Sequence, residues 1–405
     1  RYSRTWRTYA LSLDAFRTAL ELDPGSAGLR YQLALLYGRG EFYEAAISEL
    51  DVLRKANNRY VGIEHSLANM HAARGEFEEG QQVLQTLLQK EPQNWMSHTV
   101  MGWHLTSWGK SEDALAAYDR ASALRPGGSL FLQSGRWRAR MLAHDWQAAD
   151  AIAREQTVSN VPYAQWLGFK HLATTTMLRG NISEARALFE QAAATYSEPN
   201  AFTAMARQRS AWLSLEQNNY AQAIEESERA ESEAPDSWPA WEAMFVRALA
   251  EQGRGHADVA DDIAASLGDL ASKQPGAVGS RLHTHLLGAL ALARGDTATA
   301  IEQMATAAGL LSEIGVVWDF QREPDHAPVW FDLGRAYLAG GQLELARDMF
   351  TRVVERRLEH IYFPVQFVRS HHYLAQIAQQ TGDDAGARRL RSQYADFWPD
   401  SGAAR

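Results

Sequence analysis

The sequence predicts an all-α solenoid of about ten helix–turn–helix units, and three observations predict it. A turn recurs at positions 40, 75, 109, 144, 180, 218, 255, 295, 341 and 382, at intervals of 35, 34, 35, 36, 38, 37, 40, 46 and 41 residues. A small residue follows most turns at a fixed offset, as in Gly40 and Ala45, Gly75 and Gly80, Gly109 and Ala114, or Asn218 and Ala223. Between turns, apolar residues recur at three and four, as in Leu84, Leu87, Leu88 or Leu115, Tyr118, Ala121, which is helical spacing.

Each unit therefore reads as two helices of roughly 12 to 15 residues joined by a short turn. Pro24, Pro92, Pro126, Pro235 and Pro399 mark the ends of second helices, because proline lacks the N–H a helix needs and its ring clashes with the preceding turn. The first unit is reduced to one helix, Ser12 to Leu22, making 1–25 a partial repeat. The next two units carry an aromatic after the turn, Phe42 and Phe77, as Tyr220 does further on. The unit at 129–160 is degenerate: His144 stands where a turn Gly is expected, and Arg136, Trp137 and Arg140 occupy the core register. A kink or altered packing is expected there. The 46-residue interval holds an insertion at 316–326, too irregular to be helical throughout.

A solenoid escapes the size limit of a single core, since each repeat buries its face only against its neighbours. Residues 1–405 are thus expected to form one domain. The chain opens with Arg1 inside a partial repeat and stops just after a last helix, which suggests a fragment, a processed chain, or ends covered by another component. Apolar residues at 46% and charged residues at 22% are enough for a continuous core. No apolar run reaches the length of a membrane span, and the first 30 residues lack a signal peptide's apolar stretch. With no cysteine, disulfides and thiolate sites are excluded; the compartment stays open, with the cytoplasm favoured over the periplasm.

The net charge of -9 is concentrated in residues 216–262, where twelve acids face three arginines. Such a run either steers a basic partner or is a hydrated helix face. It disfavours nucleic acid, which needs clustered Lys and Arg.

Met101, Gly102, Leu105, Gly109, Ala114, Tyr118, Ala121 and Pro126 fit one register, and Leu333, Gly334, Tyr337, Gly341, Ala346 and Phe350 another; both resemble the tetratricopeptide repeat. The resemblance implies a right-handed superhelix whose first helices line a concave face. Carried onto this register, the residues implied to contact a partner are Asn69, Thr99, Trp103, Lys170, Gln208, Trp212, Phe245, Phe331, Arg335 and His372. Trp103 and Trp212 would be rigid anchors for a peptide, or else packing between repeats. The family's carboxylate clamp is disfavoured, because only Asn69 and Lys170 fall in register and they lie several repeats apart. The segments from Leu333, Ala346 and Phe363 onward look like the C-terminal repeats of bacterial multidomain regulators linked to kinase, winged-helix or cyclase domains.

Other motifs carry less. Trp108-Gly109-Lys110-Ser111 looks like the end of a phosphate loop, but His104 occupies the required glycine position and no strand precedes it. His283 with His285, and His371 with His372, lack a completing carboxylate and read as core or solvated residues. Asp319, Glu323, Asp325 and His326 could form an acid/base or cation site, although an exposed polar loop is the plainer reading. The expected function is a non-catalytic scaffold that binds a peptide, helix or partner subunit on its concave face without a cofactor. The alternative is a structural subunit with covered ends.

Overall fold

A computed structural model of the chain describes residues 8–56, 62–314, 322–323, 325–356 and 358–399. The described residues are helices joined by turns and loops, with no strand among them. They fall into two compact units. Unit 1 takes the described residues of Arg1–Ile152, Ser272–Val278 and Ser312–Glu323; unit 2 takes those of Ala153–Ala271, Gly279–Leu311 and Pro324–Arg405.

Unit 1 contains α1 (Tyr9–Leu22), α2 (Ala27–Arg39), α3 (Tyr43–Lys55), α4 (Ile63–Ala73), α5 (Phe77–Lys90), α6 (Trp95–Ser107), α7 (Ser111–Leu124) and α8 (Leu130–Leu142), and the division falls within α9 (Trp146–Thr157). Local chemistry sets these limits. Pro24, Pro92 and Pro126 follow α1, α5 and α7 by two residues. Ser26, Asn94 and Ser129 then cap the next first helix by accepting backbone N–H bonds from Leu29, Met96 and Leu132, which satisfies donors the helix cannot. Helix α1 begins at Tyr9, earlier than Ser12, since Tyr9 is fully buried and donates its hydroxyl to the Leu36 carbonyl at 2.7 Å. Its burial pushes the phenol well above the ordinary tyrosine range.

The turn positions hold their backbone in the left-handed region, with φ of 75° at Gly75, 79° at Gly109 and 80° at Gly180. Where glycine is missing, the backbone keeps that conformation: φ is 57° at His144 and 56° at Asn218. The 129–160 unit is therefore two ordinary helices. His144 stacks on Trp146 at 5.0 Å, Trp137 is buried, and Arg136 reaches Ser122 at 3.2 Å and Asp119 at 3.3 Å. The first turn is shifted by one residue: Glu41 takes the left-handed conformation with φ of 65°, not Gly40. Gly40 answers to space instead, because a Cβ there would lie 2.1 Å from the Tyr9 hydroxyl.

The small residues let helices cross closely. Tyr118 is fully buried between Gly102 and Gly135, where an added Cβ would come within 2.5 Å of its ring or hydroxyl. Ala114 and Ala121 flank it in the same core. Unit 1 also takes in part of the inserted segment: Arg322 and Glu41, both under a tenth exposed, pair at 2.7 Å. Residues 315–321 and 324, and with them Asp319, lie outside the described residues.

Unit 2 contains α10 (Pro162–Leu178), α11 (Ile182–Ala193), α12 (Ala201–Glu216), α13 (Tyr220–Glu233), α14 (Trp238–Gly253), α15 (Ala257–Ser272), α16 (Val278–Ala293), α17 (Thr297–Gly309), α18 (His326–Ala339), α19 (Leu343–Glu355), α20 (Glu359–Tyr362), α21 (Pro364–Gln380) and α22 (Asp384–Phe397). Consecutive helices pack in pairs, as unit 1's do. A second kind of contact is superimposed. Helix α10 packs against α21, Val365 joins a core with Trp166, Leu167 and Met177, and Trp398 donates its indole N–H to the Met177 carbonyl at 3.0 Å. A simple solenoid touches only neighbouring repeats. Here the first helices of the unit meet its last, so unit 2 closes on itself.

Candidate functional site

The inner wall of unit 2 lines a cavity of about 1010 Å³ that is partly open to solvent. Its wall comes mainly from the first helix of successive pairs, α12, α14, α16, α18 and α21, with Tyr394 of α22 and the adjoining Trp398. The helical period explains the convergence: residues three or four apart share one face, so Gln208, Trp212 and Glu216 line it from α12, and Gln366, Arg369 and Tyr373 from α21.

Six of the expected contact residues meet here: Gln208, Trp212, Phe245, Phe331, Arg335 and His372. Trp212 and Phe245 are half-buried, and Phe245 lies 4.9 Å from the His285 ring. Phe331 is more deeply set, in edge contact with Phe350 at 5.8 Å and Tyr373 at 5.7 Å. His372 sits 5.5 Å from Tyr394, and burial, then Arg391 and Arg369, push its imidazole below the ordinary value.

The other four do not join them. Lys170 belongs to unit 2 outside the cavity wall, with its ammonium 5.5 Å from the Trp166 ring. Asn69 is half-buried on α4 of unit 1. Thr99 is not available to a partner: it is fully buried, and its hydroxyl donates to the Trp95 carbonyl of its own helix at 2.9 Å. Trp103 is used for packing. Its ring stacks on Phe131 at 4.8 Å, lies under the Arg138 guanidinium at 4.1 Å, and its N–H bonds the Phe131 carbonyl at 3.2 Å.

Several ionic groups of the cavity form internal pairs. Asp332 accepts from His285 at 2.9 Å and Arg335 at 3.0 Å. Burial alone would raise the Asp332 carboxyl; bonds and charge from His285 and Arg335 outweigh it and hold the group below the usual carboxylate range. Arg335 is driven the other way: desolvation would lower it, but Asp332, Tyr373 and Glu216 carry it above the ordinary guanidinium value. Arg369 pairs with Glu216. Asp325 is bound by both arms of Arg281, a fully buried side chain, at 2.7 and 3.0 Å, and Arg281 also donates to the Leu310 carbonyl at 2.7 Å. Asp325 thus serves as a structural anchor. His326 is buried and 5.3 Å from Trp330.

Half of the acidic stretch is committed to pairs within the protein. Glu231 takes both arms of Arg247 at 2.7 and 2.9 Å, Glu226 and Glu233 share Arg207, and Glu251 and Asp261 pair with His256 and Arg294. No group of three His, Cys, Asp or Glu among the described residues could hold a metal ion. No described helix is long and apolar enough to cross a membrane.

Register reasoning missed Gln366, Tyr373, Tyr394 and Trp398. Gln366 and Tyr373 lie one helical turn either side of Arg369, and could have been found by extending the α21 face that carries His372. Tyr394 and Trp398 reach the cavity only because unit 2 closes, which no local pattern encodes.

The fold of the described residues is that of an all-α helical repeat protein. Residues 65–129 and 285–360 match the family model described as tetratricopeptide repeat. No curated protein matches the sequence. Among solved structures, a tetratricopeptide repeat protein from Parabacteroides merdae is 16% identical, with 59% of this chain and 90% of that one covered and a TM-score of 0.43. The human IFIT1 dimer with PPP-AAAA is 15% identical over 96% of this chain and 94% of that one, with a TM-score of 0.42. The Cut9-Hcn1 hetero-tetramer of the APC/C is 13% identical over 98% and 86%, with a TM-score of 0.39. Likeness of this degree says nothing about a ligand.

Proposed function

We propose that the chain is an interaction scaffold whose binding site is the unit 2 cavity, and that it receives a peptide segment of a partner protein there. The observation that carries this reading is the convergence of Gln208, Trp212, Phe245, Phe331, Arg335 and His372 from four separate helices on one cavity. Its volume of about 1010 Å³ is at the upper end of the range for small-ligand sites and suits several residues of peptide. Half-buried aromatics beside polar groups supply the rigid contact area and orientation such recognition uses.

Peptides selected from a random displayed library against the full chain test the reading. Trp212→Ala and Phe245→Ala should each weaken the selected peptides by about 2 kcal/mol, roughly thirtyfold, while Trp103→Ala leaves affinity unchanged. Selected peptides whose affinity ignores both cavity substitutions would move the site elsewhere.

A further inference from the structure

We propose that the unit 2 cavity recognises an acidic side chain, an Asp or Glu within the guest peptide, whose carboxylate is received by the guanidinium groups of Arg335 and Arg369. This deepens the proposed function and rests on it. Three observations carry it.

The first is which charges face the cavity. Arg335 pairs with Asp332 and Arg369 with Glu216, and all four line the wall. In both pairs the cation is the accessible member: the arginine side chains are 45% and 36% exposed, the two acids 18% each. A guest therefore meets guanidinium before carboxylate. The neighbouring His372 registers that sign, since burial first, then the charges of Arg391 and Arg369, hold its imidazole below the ordinary value.

The second is the hydrogen-bonding capacity that remains. A guanidinium donates from Nε, Nη1 and Nη2, and each of these arginines gives its acid only Nη1. Among the described residues, Nε and Nη2 of both make no other hydrogen bond. Their N–H groups form the planar fork that matches the two oxygens of a carboxylate. Arg335 can turn that fork to a guest without abandoning Asp332, because His285 also donates to Asp332 at 2.9 Å. The two guanidiniums share a neighbour as well. Glu216 bonds Arg369 and, after Asp332 and Tyr373, helps hold Arg335 above its ordinary value against desolvation.

The third is what flanks the arginines. From Arg335 the contacts run through Asp332 and His285 to Phe245, whose ring is 4.9 Å from the imidazole. From Arg369 they run toward His372, then to Tyr394 at 5.5 Å and on to Trp398, 5.9 Å beyond. Phe245, Tyr394 and Trp398 all line the cavity. The arginines thus stand between two aromatic surfaces. A peptide that continues past them on both sides gains contact area that a chain ending there would forgo, which places the acid in the middle of the guest segment.

The test uses the full chain and hexapeptide libraries of otherwise uncharged residues. Three are N-acetylated and C-amidated with Glu, Gln or Lys fixed at the fourth position; the last has no charged side chain and a free C-terminal carboxylate. Affinity selection should enrich the Glu library. In calorimetry, exchanging that Glu for Gln in a selected peptide should raise the dissociation constant about tenfold, and the difference should shrink as NaCl rises from about 0.05 to 0.5 M. Arg335→Gln and Arg369→Gln should each raise it about tenfold for the Glu peptide and leave the Gln peptide where it was. The exchange on the peptide reads the same contact should an arginine variant fail to fold. Equal enrichment of the Gln or Lys library, with binding that Trp212→Ala abolishes, would overturn this inference and leave the proposed function standing. Preference for the free C-terminal carboxylate, or a Glu peptide indifferent to its exchange for Gln, would also overturn it. No binder from any library would overturn both.

Discussion

Trp103 and Trp212 occupy equivalent places in the repeat, one in each unit, yet they have opposite fates. Trp103 is held between Phe131 and Arg138 and spends its indole N–H on a backbone carbonyl. Trp212 packs one edge into the unit 2 core and still lines the cavity. The local rules of the repeat are the same in both cases. What differs is the long-range contact: α10 meets α21 and Trp398, and Glu216 of α12 pairs with Arg369 of α21, so that unit 2 lines a space that consecutive repeats alone do not define. A repeat's register thus identifies which residues can face inward, while closure decides which of them face a cavity.

The largest effect should come from breaking unit 2's buried ionic anchor. Arg281→Met leaves Asp325 largely buried without its guanidinium, and denaturant unfolding should show a loss of about 3 to 5 kcal/mol. A mutant as stable as the parent would mean Asp325 finds another partner or water. Next comes the closure itself. Trp398→Ala removes the bond to Met177 and the ring lying against Gly180, and should cost about 2 kcal/mol. Hydrogen exchange should then speed up in α10 and α21 while α2 to α7 of unit 1 stay protected. Uniform acceleration across both units would contradict their separate accounts.

The two tryptophans sharpen the contrast more finely. Trp103→Ala should lower stability by about 2 kcal/mol through lost stacking and burial and leave peptide binding alone. The smallest expected effect is on pH dependence. In unit 1, burial holds His104 below its ordinary value, with its Nε2 2.8 Å from the Phe77 carbonyl. A histidine depressed in the folded state binds its proton more readily when unfolded. Its contribution to stability is therefore full above about pH 6.5 and is lost as pH falls toward the folded value. Asp332 in unit 2 is depressed too, so its contribution is full above about pH 4 and fades only below that. Urea midpoints should show His104→Gln flattening the limb just below pH 6.5, and Asp332→Asn flattening only the acid limb.

Most of the fold was legible because each repeat repeats its demands. A left-handed turn residue asks for Gly or Asn, proline ends a helix, and a fully buried Tyr118 asks for Gly102 and Gly135 on either side. His144 and Asn218 could be placed in turns from spacing alone, and both have positive φ. The first turn misled by one residue, since Gly40 is small to admit the Tyr9 hydroxyl while Glu41 takes the turn. The site was half legible. Gln208, Trp212, Phe245, Phe331, Arg335 and His372 follow from the register of successive helices. Thr99 and Trp103 follow the same register but are taken up by burial and packing, because burial depends on what the next helix brings. Trp398 meets Met177 across 221 residues, a pairing no periodicity announces.

The central claim is that the unit 2 cavity, and not the equivalent surface of unit 1, receives the guest. Fluorine NMR of the chain labelled with 5-fluorotryptophan, assigned by single Trp→Phe variants and titrated with a selected peptide, tests it most directly. The Trp212 resonance should shift in proportion to occupancy while Trp103 stays fixed. A shift at Trp103 with Trp212 unmoved would contradict the account.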